Sequence, residues 1–140
     1  MLFRSKLEFT FSTKSYIPRE KLHDSSTHND IPALGFHAPR IFDKVIDITN
    51  CHLMDDVNNR LRNTLRDYAK EKGSAFYDIK NHTGWLRNLI VRYTTTRQLM
   101  VNLCLGEERE AERVALLDHL LKMVPEITTL LYTKIGRAHV

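Results

Sequence analysis

Glycine is scarce, at five of 140 residues, and no glycine-rich phosphate loop or GxGxxG turn occurs anywhere in the chain. A dinucleotide-type pocket built on a tight glycine turn therefore has no place to sit. HExxH and GxSxG are missing too, so the zinc-protease and serine-hydrolase constellations are excluded and the chain by itself looks catalytically empty. Cysteine is limited to Cys51 and Cys104, with no CxxC pair, which rules out a disulfide framework and a self-contained zinc site. No apolar run approaches the ~20 residues of a membrane span, and Met1–Ser12 lacks the apolar core and small-residue cleavage site of a signal peptide. The chain reads as cytoplasmic, with no membrane partner.

What is present is a folding composition. Hydrophobic residues make up 42%, charged residues 27% and aromatics 9% of a 16.4 kDa chain, which fits one soluble domain with a single core. Lys and Arg exceed the acids by 21 to 17, giving a net charge of +4 and a pI near 9.2. That balance favours a polyanionic partner, because summed positive potential raises encounter rates with phosphates.

Along the chain, Leu7, Phe9 and Phe11 alternate with polar residues and predict a strand over Lys6–Ser12. Residues 13–32 are polar with two prolines and read as a mobile loop leading to a return strand, Ala33–His37. Ile41–Ile48 has strand composition. Cys51–Lys72 then switches to helical spacing, with Met54, Val57, Leu61, Leu65 and Tyr68 on one stripe and Gly73 as the C-cap. The other stripe, with Asn59, Arg62, Arg66 and Lys70, reads as a solvated basic surface. Phe76–Lys80 and Trp85–Tyr93 flank a turn at Asn81–Gly84, and Gln98–Leu105 returns as another strand. A second helix follows an acidic start at Glu107, Glu108 and Glu110, stops at Pro125, and leads to a final strand, Ile127–Thr133. The order predicts an α+β domain: an antiparallel sheet with two helices on one face, a ferredoxin-like βαββαβ core preceded by a β-hairpin. Its second sheet face, with Asn88, Ile90, Arg92, Met100, Asn102 and Cys104, is half polar and suited to receive RNA or another domain.

Chemistry-bearing residues are spread along this frame. The histidines are scattered, and His119 on the second helix reads as a surface residue. Cys51 stands at a strand-to-helix junction, where a thiolate is favoured, although a small buried hydrophobe is the simpler reading of its composition. Arg4, Lys6, Arg40, Arg87, Arg92 and Arg97 stand at strand entries, ends and a turn, where guanidinium groups can grip phosphates. Phe3, Phe36 and Trp85 offer stacking surfaces for unpaired bases.

Five motifs in sequence resemble one family. Phe3-Arg4-Ser5-Lys6-Leu7-Glu8-Phe9, Leu34-Gly35-Phe36-His37, Val45-Ile46-Asp47-Ile48 with Cys51 following, Leu86–Arg92 and Pro125–Tyr132 are similar to the central domain of RNA 5-methyluridine methyltransferases, the 23S rRNA (uracil-5-)-methyltransferase group. The likeness runs from Phe3 to Lys134, so residues 1–134 read as that single domain and 135–140 as a non-family tail. In the family this domain lies between an RNA-binding domain and a domain that binds S-adenosyl-L-methionine and carries the catalytic cysteine and carboxylate. The resemblance therefore implies an RNA methyltransferase acting on uracil C5 in ribosomal RNA, with no DNA partner and no catalytic or S-adenosylmethionine-binding residue in this chain, which alone is expected to be inactive. It also implies a [4Fe–4S] cluster in the intact protein, for which Cys51 occupies the place of the fourth ligand; a cluster needs further thiolates, so the chain alone is not expected to bind one. His52 stands where the family usually has proline, and Ser5 where it has asparagine. Surface left bare by missing domains invites self-association. The alternative from another class is a free-standing, non-enzymatic RNA-binding or protein-interaction module.

Overall fold

A computed structural model describes residues 3–14, 32–37, 45–47, 56–94 and 96–135, without the side chains of 3–5, 37 and 45–47. Its elements are β1 (Phe3–Ser12), β2 (Ala33–His37), β3 (Val45–Asp47), α1 (Asp56–Glu71), β4 (Leu86–Thr94), β5 (Leu99–Leu105), α2 (Glu110–Met123) and β6 (Ile127–Lys134). The α+β class, the order of the elements and the placing of both helices on one sheet face agree with the sequence. The expected loop over 13–32, the flanks of the strand at 41–48 and the helix start at 51–55 lie wholly or largely outside the described residues.

The six strands lie in the order β3-β2-β1-β4-β5-β6. All neighbours are antiparallel except β5 and β6, which run parallel across the α2 crossover, so the sheet is mixed. This differs from the ferredoxin-like arrangement expected from element order. There, each helix links strands with one strand between them, whereas α2 links immediate neighbours and β2 and β1 both separate the strands joined by α1. The reason lies in β1. It carries the most aromatic alternating run and pairs Phe9 with Leu89 and Leu7 with Val91 of β4, so it takes the centre of the sheet where a hairpin preceding the core was expected.

Phe9 and Phe11 of β1, Leu89 and Val91 of β4, and Val101 and Leu103 of β5 are buried together with Leu61, Leu65 and Ala69 of α1 and with Leu116 and Leu120 of α2. Each such Leu or Phe contributes roughly 1.5–3 kcal/mol through burial. The two helices are tied to each other and to β6. The ring of Tyr68 stacks on His119 at 4.4 Å, and Arg60 donates to both carboxylate oxygens of Glu126 just before β6. His119 is therefore a half-buried packing residue, a correction to its reading as surface.

Gly73 ends α1 as expected. It sits at φ 68°, and the paired bonds from Ser74 N–H to Ala69 C=O and from Gly73 N–H to Lys70 C=O close the helix. The expected strand over Phe76–Lys80 is instead turn-rich, with isolated bridges from Phe76 to Leu86 and from Asp78 to Thr83. The Asp78 carboxylate accepts from the backbone N–H of Lys80 and of Asn81 and from the Asn81 side chain, local bonds that compete with a ladder. The same bonds, Asn81's foremost, hold the Asp78 carboxyl below its usual range.

The basic stripe of α1 is the larger correction. Its buried residues are Asn58, Leu61, Arg62, Leu65, Arg66 and Ala69, so two of the arginines expected in solvent are inside. Arg62 is fully buried with its guanidinium 5.0 Å from the centre of the Phe9 ring, and it donates to Asn59 Oδ1 at 2.8 Å.

Candidate nucleic-acid interface

With Leu7, Phe9 and Phe11 turned toward the helices, strand alternation sends Lys6, Glu8 and Thr10 to the opposite face. The registers of the next strands extend these into rows. Lys6 lies beside Arg92, Met100 and Thr129; Glu8 beside Ile90, Asn102 and Leu131; Thr10 beside Asn88, Cys104 and Thr133. Neither helix covers this face. One end is cationic, the middle is apolar with an amide and the exposed Glu8 carboxylate at its β1 side, and the row at the other end is polar and neutral. Asn88 donates to Thr10 Oγ1 at 3.5 Å, and Thr133 Oγ1 donates to Asn102 Oδ1 at 3.1 Å.

Between the first two rows lies an open hollow of about 280 Å³ lined by Ile90, Arg92, Met100, Val101, Asn102 and Leu131. A guanidinium and an amide thus stand at the rim of an apolar floor, a combination that suits a phosphate beside a planar base. Cys104, in the third row, is only 3% exposed. Burial pushes its thiol up, the Glu8 carboxylate adds to that, and Arg87 opposes it, so it is a packing thiol and not a nucleophile.

The sequence-derived candidates divide by position. Lys6 is exposed and Arg92 half-buried, paired on this face. Arg87 stands at the irregularity between Leu86 and Asn88, its guanidinium 4.6 Å from the centre of the Tyr77 ring, at the polar end of the face. Arg4 lies in β1 beside its irregularity, with its side chain outside the described residues; Arg40 and Cys51 lie wholly outside them. Phe36 and Trp85 do not offer stacking surfaces. Phe36 packs on Phe9 at 5.0 Å, and Trp85 is 1% exposed within the core. The contributions of Leu131 and Thr133 were missed, because they reach this face only through the parallel pairing of β6, which strand-by-strand reading does not reveal. Among the described residues, no three His, Cys, Asp or Glu side chains converge as a metal site, and no helix is long and apolar enough to cross a membrane.

The chain has counterparts among known proteins. An uncharacterized RNA methyltransferase of Bacteroides thetaiotaomicron is 43% identical over 133 residues, covering 93% of this chain and 29% of its own length. Proteins with the same description from Porphyromonas gingivalis and Chlorobaculum tepidum are 38% and 40% identical, over 93% and 89% of the chain. The chain belongs to this RNA methyltransferase family. It spans 29% of the length of the first two of these methyltransferases and 26% of the third. No family model matches. Among solved structures, the tRNA (uracil-54, C5)-methyltransferase of Pyrococcus abyssi in complex with S-adenosyl-L-homocysteine superposes with a TM-score of 0.62 at 17% identity, over all of this chain and 30% of that one. At that identity the likeness is one of fold.

Proposed function

We propose that the chain is the RNA-facing segment of an S-adenosyl-L-methionine-dependent methyltransferase acting on uracil C5 of ribosomal RNA, and that the open sheet face receives the RNA. The observation that carries this is the pairing of Lys6 with Arg92 beside the hollow floored by Ile90, Met100 and Leu131. The two cations hold a phosphate, and Asn102 offers hydrogen bonds to a base edge above the apolar floor. Arg4, Arg40 and Arg87 extend the phosphate track. S-adenosylmethionine, bound by polypeptide outside this chain, supplies the methyl group, and methyl transfer is not assigned to any residue here. By the family resemblance, Cys51 would supply the fourth thiolate of a [4Fe–4S] cluster in the intact protein. Among the described residues the one cysteine is the buried Cys104, and no set of metal ligands converges. The family motifs and the fold shared with a uracil-5 methyltransferase support this reading.

The test is the salt dependence of binding to a uridine-containing single-stranded RNA. Affinity falls steeply with salt, and Lys6→Ala with Arg92→Ala lowers the log–log slope by about 0.7 for each phosphate that is no longer neutralised, equally for different sequences. Arg60→Ala, on the helix side, leaves the slope unchanged. Salt-independent affinity, or none, overturns the assignment.

A further inference from the structure

Among the described residues, five large hydrophobic side chains are exposed: Val114, Leu121 and Met123 of α2, and Leu131 and Tyr132 of β6. All belong to one βαβ end of the molecule; α1 exposes none. Helix geometry, at about 100° per residue, shows that Val114 and Leu121 do not belong to the face already packed, whereas Met123, in the last turn, falls between His119 and Leu116. His119 points to Tyr68 of α1, Leu116 and Leu120 point to the sheet, and Arg113 lies with its guanidinium 4.2 Å from the centre of the Tyr132 ring of β6. Continuing in the same rotational sense past Arg113 come Leu117, Leu121 and then Val114. Leu121 and Val114 therefore face outward over the β6 side, away from α1. On β6, Tyr132 lies on the helix face, and β6 pairs only with β5 among the described residues, so the sheet edge beside α2 is both apolar on its helix side and open. Leu131, on the opposite face, belongs to the hollow beside Arg92 and Asn102.

We infer that this α2–β6 flank is an intramolecular interface, covered by another part of the full-length methyltransferase polypeptide. A helix apolar on two sides beside an edge strand with an exposed tyrosine on its helix face is the pattern of elements enclosed between two bodies. The relatives supply the second body, since the chain accounts for 29% of their length. Charge disfavours RNA as the occupant: residues 107–123 carry five acids against three Lys and Arg. The inference rests on family membership and not on the RNA-binding face, so either can fail alone.

The experiment places these 140 residues in the full-length Bacteroides thetaiotaomicron relative, in place of its matching segment, and compares amide hydrogen exchange and thermal unfolding with the isolated chain. The β6 amides exchange slower by roughly tenfold or more in the full-length protein. Leu121→Lys combined with Val114→Lys lowers its melting temperature while leaving that of the isolated chain unchanged. Equal exchange of β6 in both contexts overturns the inference. So does sedimentation showing that the isolated chain is a dimer which the double substitution dissociates, because the occupant is then a second copy. Should the isolated chain not fold, the double substitution in the full-length protein decides: no loss of β6 protection there overturns it.

Discussion

The two helices lie side by side on one sheet face, yet they bury opposite chemistry. α1 is the more polar in sequence and the more deeply enclosed: Asn58, Arg62 and Arg66 are buried along with Leu61, Leu65 and Ala69. α2 is the more apolar and the less enclosed, burying Leu116 and Leu120 while Val114, Leu121 and Met123 stand in solvent. Side-chain hydropathy would rank them the other way. Position decides instead: α1 lies against α2 on one side and has Phe9 of the central strand beneath it, whereas α2 borders the sheet edge. The contrast teaches that burial follows position in the sheet: Arg62 enters the core where Phe9 and Asn59 receive it, and apolar residues remain outside at the edge, where the described residues give no cover.

The sharpest way to break the contrast uses adjacent residues of α2. Leu120→Ala should cost about 2–5 kcal/mol, because it opens a cavity at a fully buried site, whereas Leu121→Ala should change stability by about 0.5 kcal/mol or less in the isolated chain. Urea unfolding of both variants measures this. Comparable losses would mean that α2 is packed on both sides without any further polypeptide.

Next in size is Arg62, which tests whether α1 gains from a buried cation or merely from its bulk. Arg62→Ala removes packing over Phe9, the interaction with the ring face and the bond to Asn59, for an expected loss of roughly 2 kcal/mol. Arg62→Met keeps most of the volume and should stay within about 1 kcal/mol of the parent, since well-packed apolar replacements of buried charges are often neutral. An equal loss for both variants would assign the stabilisation to the charge.

Local signals made much of the molecule legible. The alternation around Phe9 located β1, Ala33–His37 matched β2, and Gly73 marked the end of α1 through the one backbone conformation it adopts easily. The half-polar face was visible too, since Asn88, Arg92 and Asn102 follow from the pleat alone. What escaped depends on contacts distant in sequence. The central place of β1 and the parallel docking of β6 are choices among strand pairings that periodicity leaves open. The burial of Arg62 is a consequence of those choices: its neighbour Phe9 lies 53 positions earlier in the chain and meets it only once β1 is central. The same blindness hid Leu131 and Thr133 from the candidate RNA face.

The weakest expected effect concerns the tie of α1 to the approach of β6, the pair of Arg60 with Glu126. The Arg60 guanidinium hydrogen-bonds the carboxylate and holds its pKa at about 2, down from the usual 4.5. A carboxyl depressed in the folded state stabilises above its unfolded pKa and loses that contribution as pH falls through the folded one. The pair should therefore contribute fully above about pH 4.5, fade between there and about pH 2, and contribute nothing below. Both groups are exposed, so the gain is small and screened by salt. Melting temperatures of the parent and of Glu126→Gln should differ slightly at neutral pH and converge as the solution is acidified toward pH 2. A difference that persists at the acid end would show that Glu126 acts through packing around Pro125 and not through its charge, and α1 would then be held to the approach of β6 by shape alone.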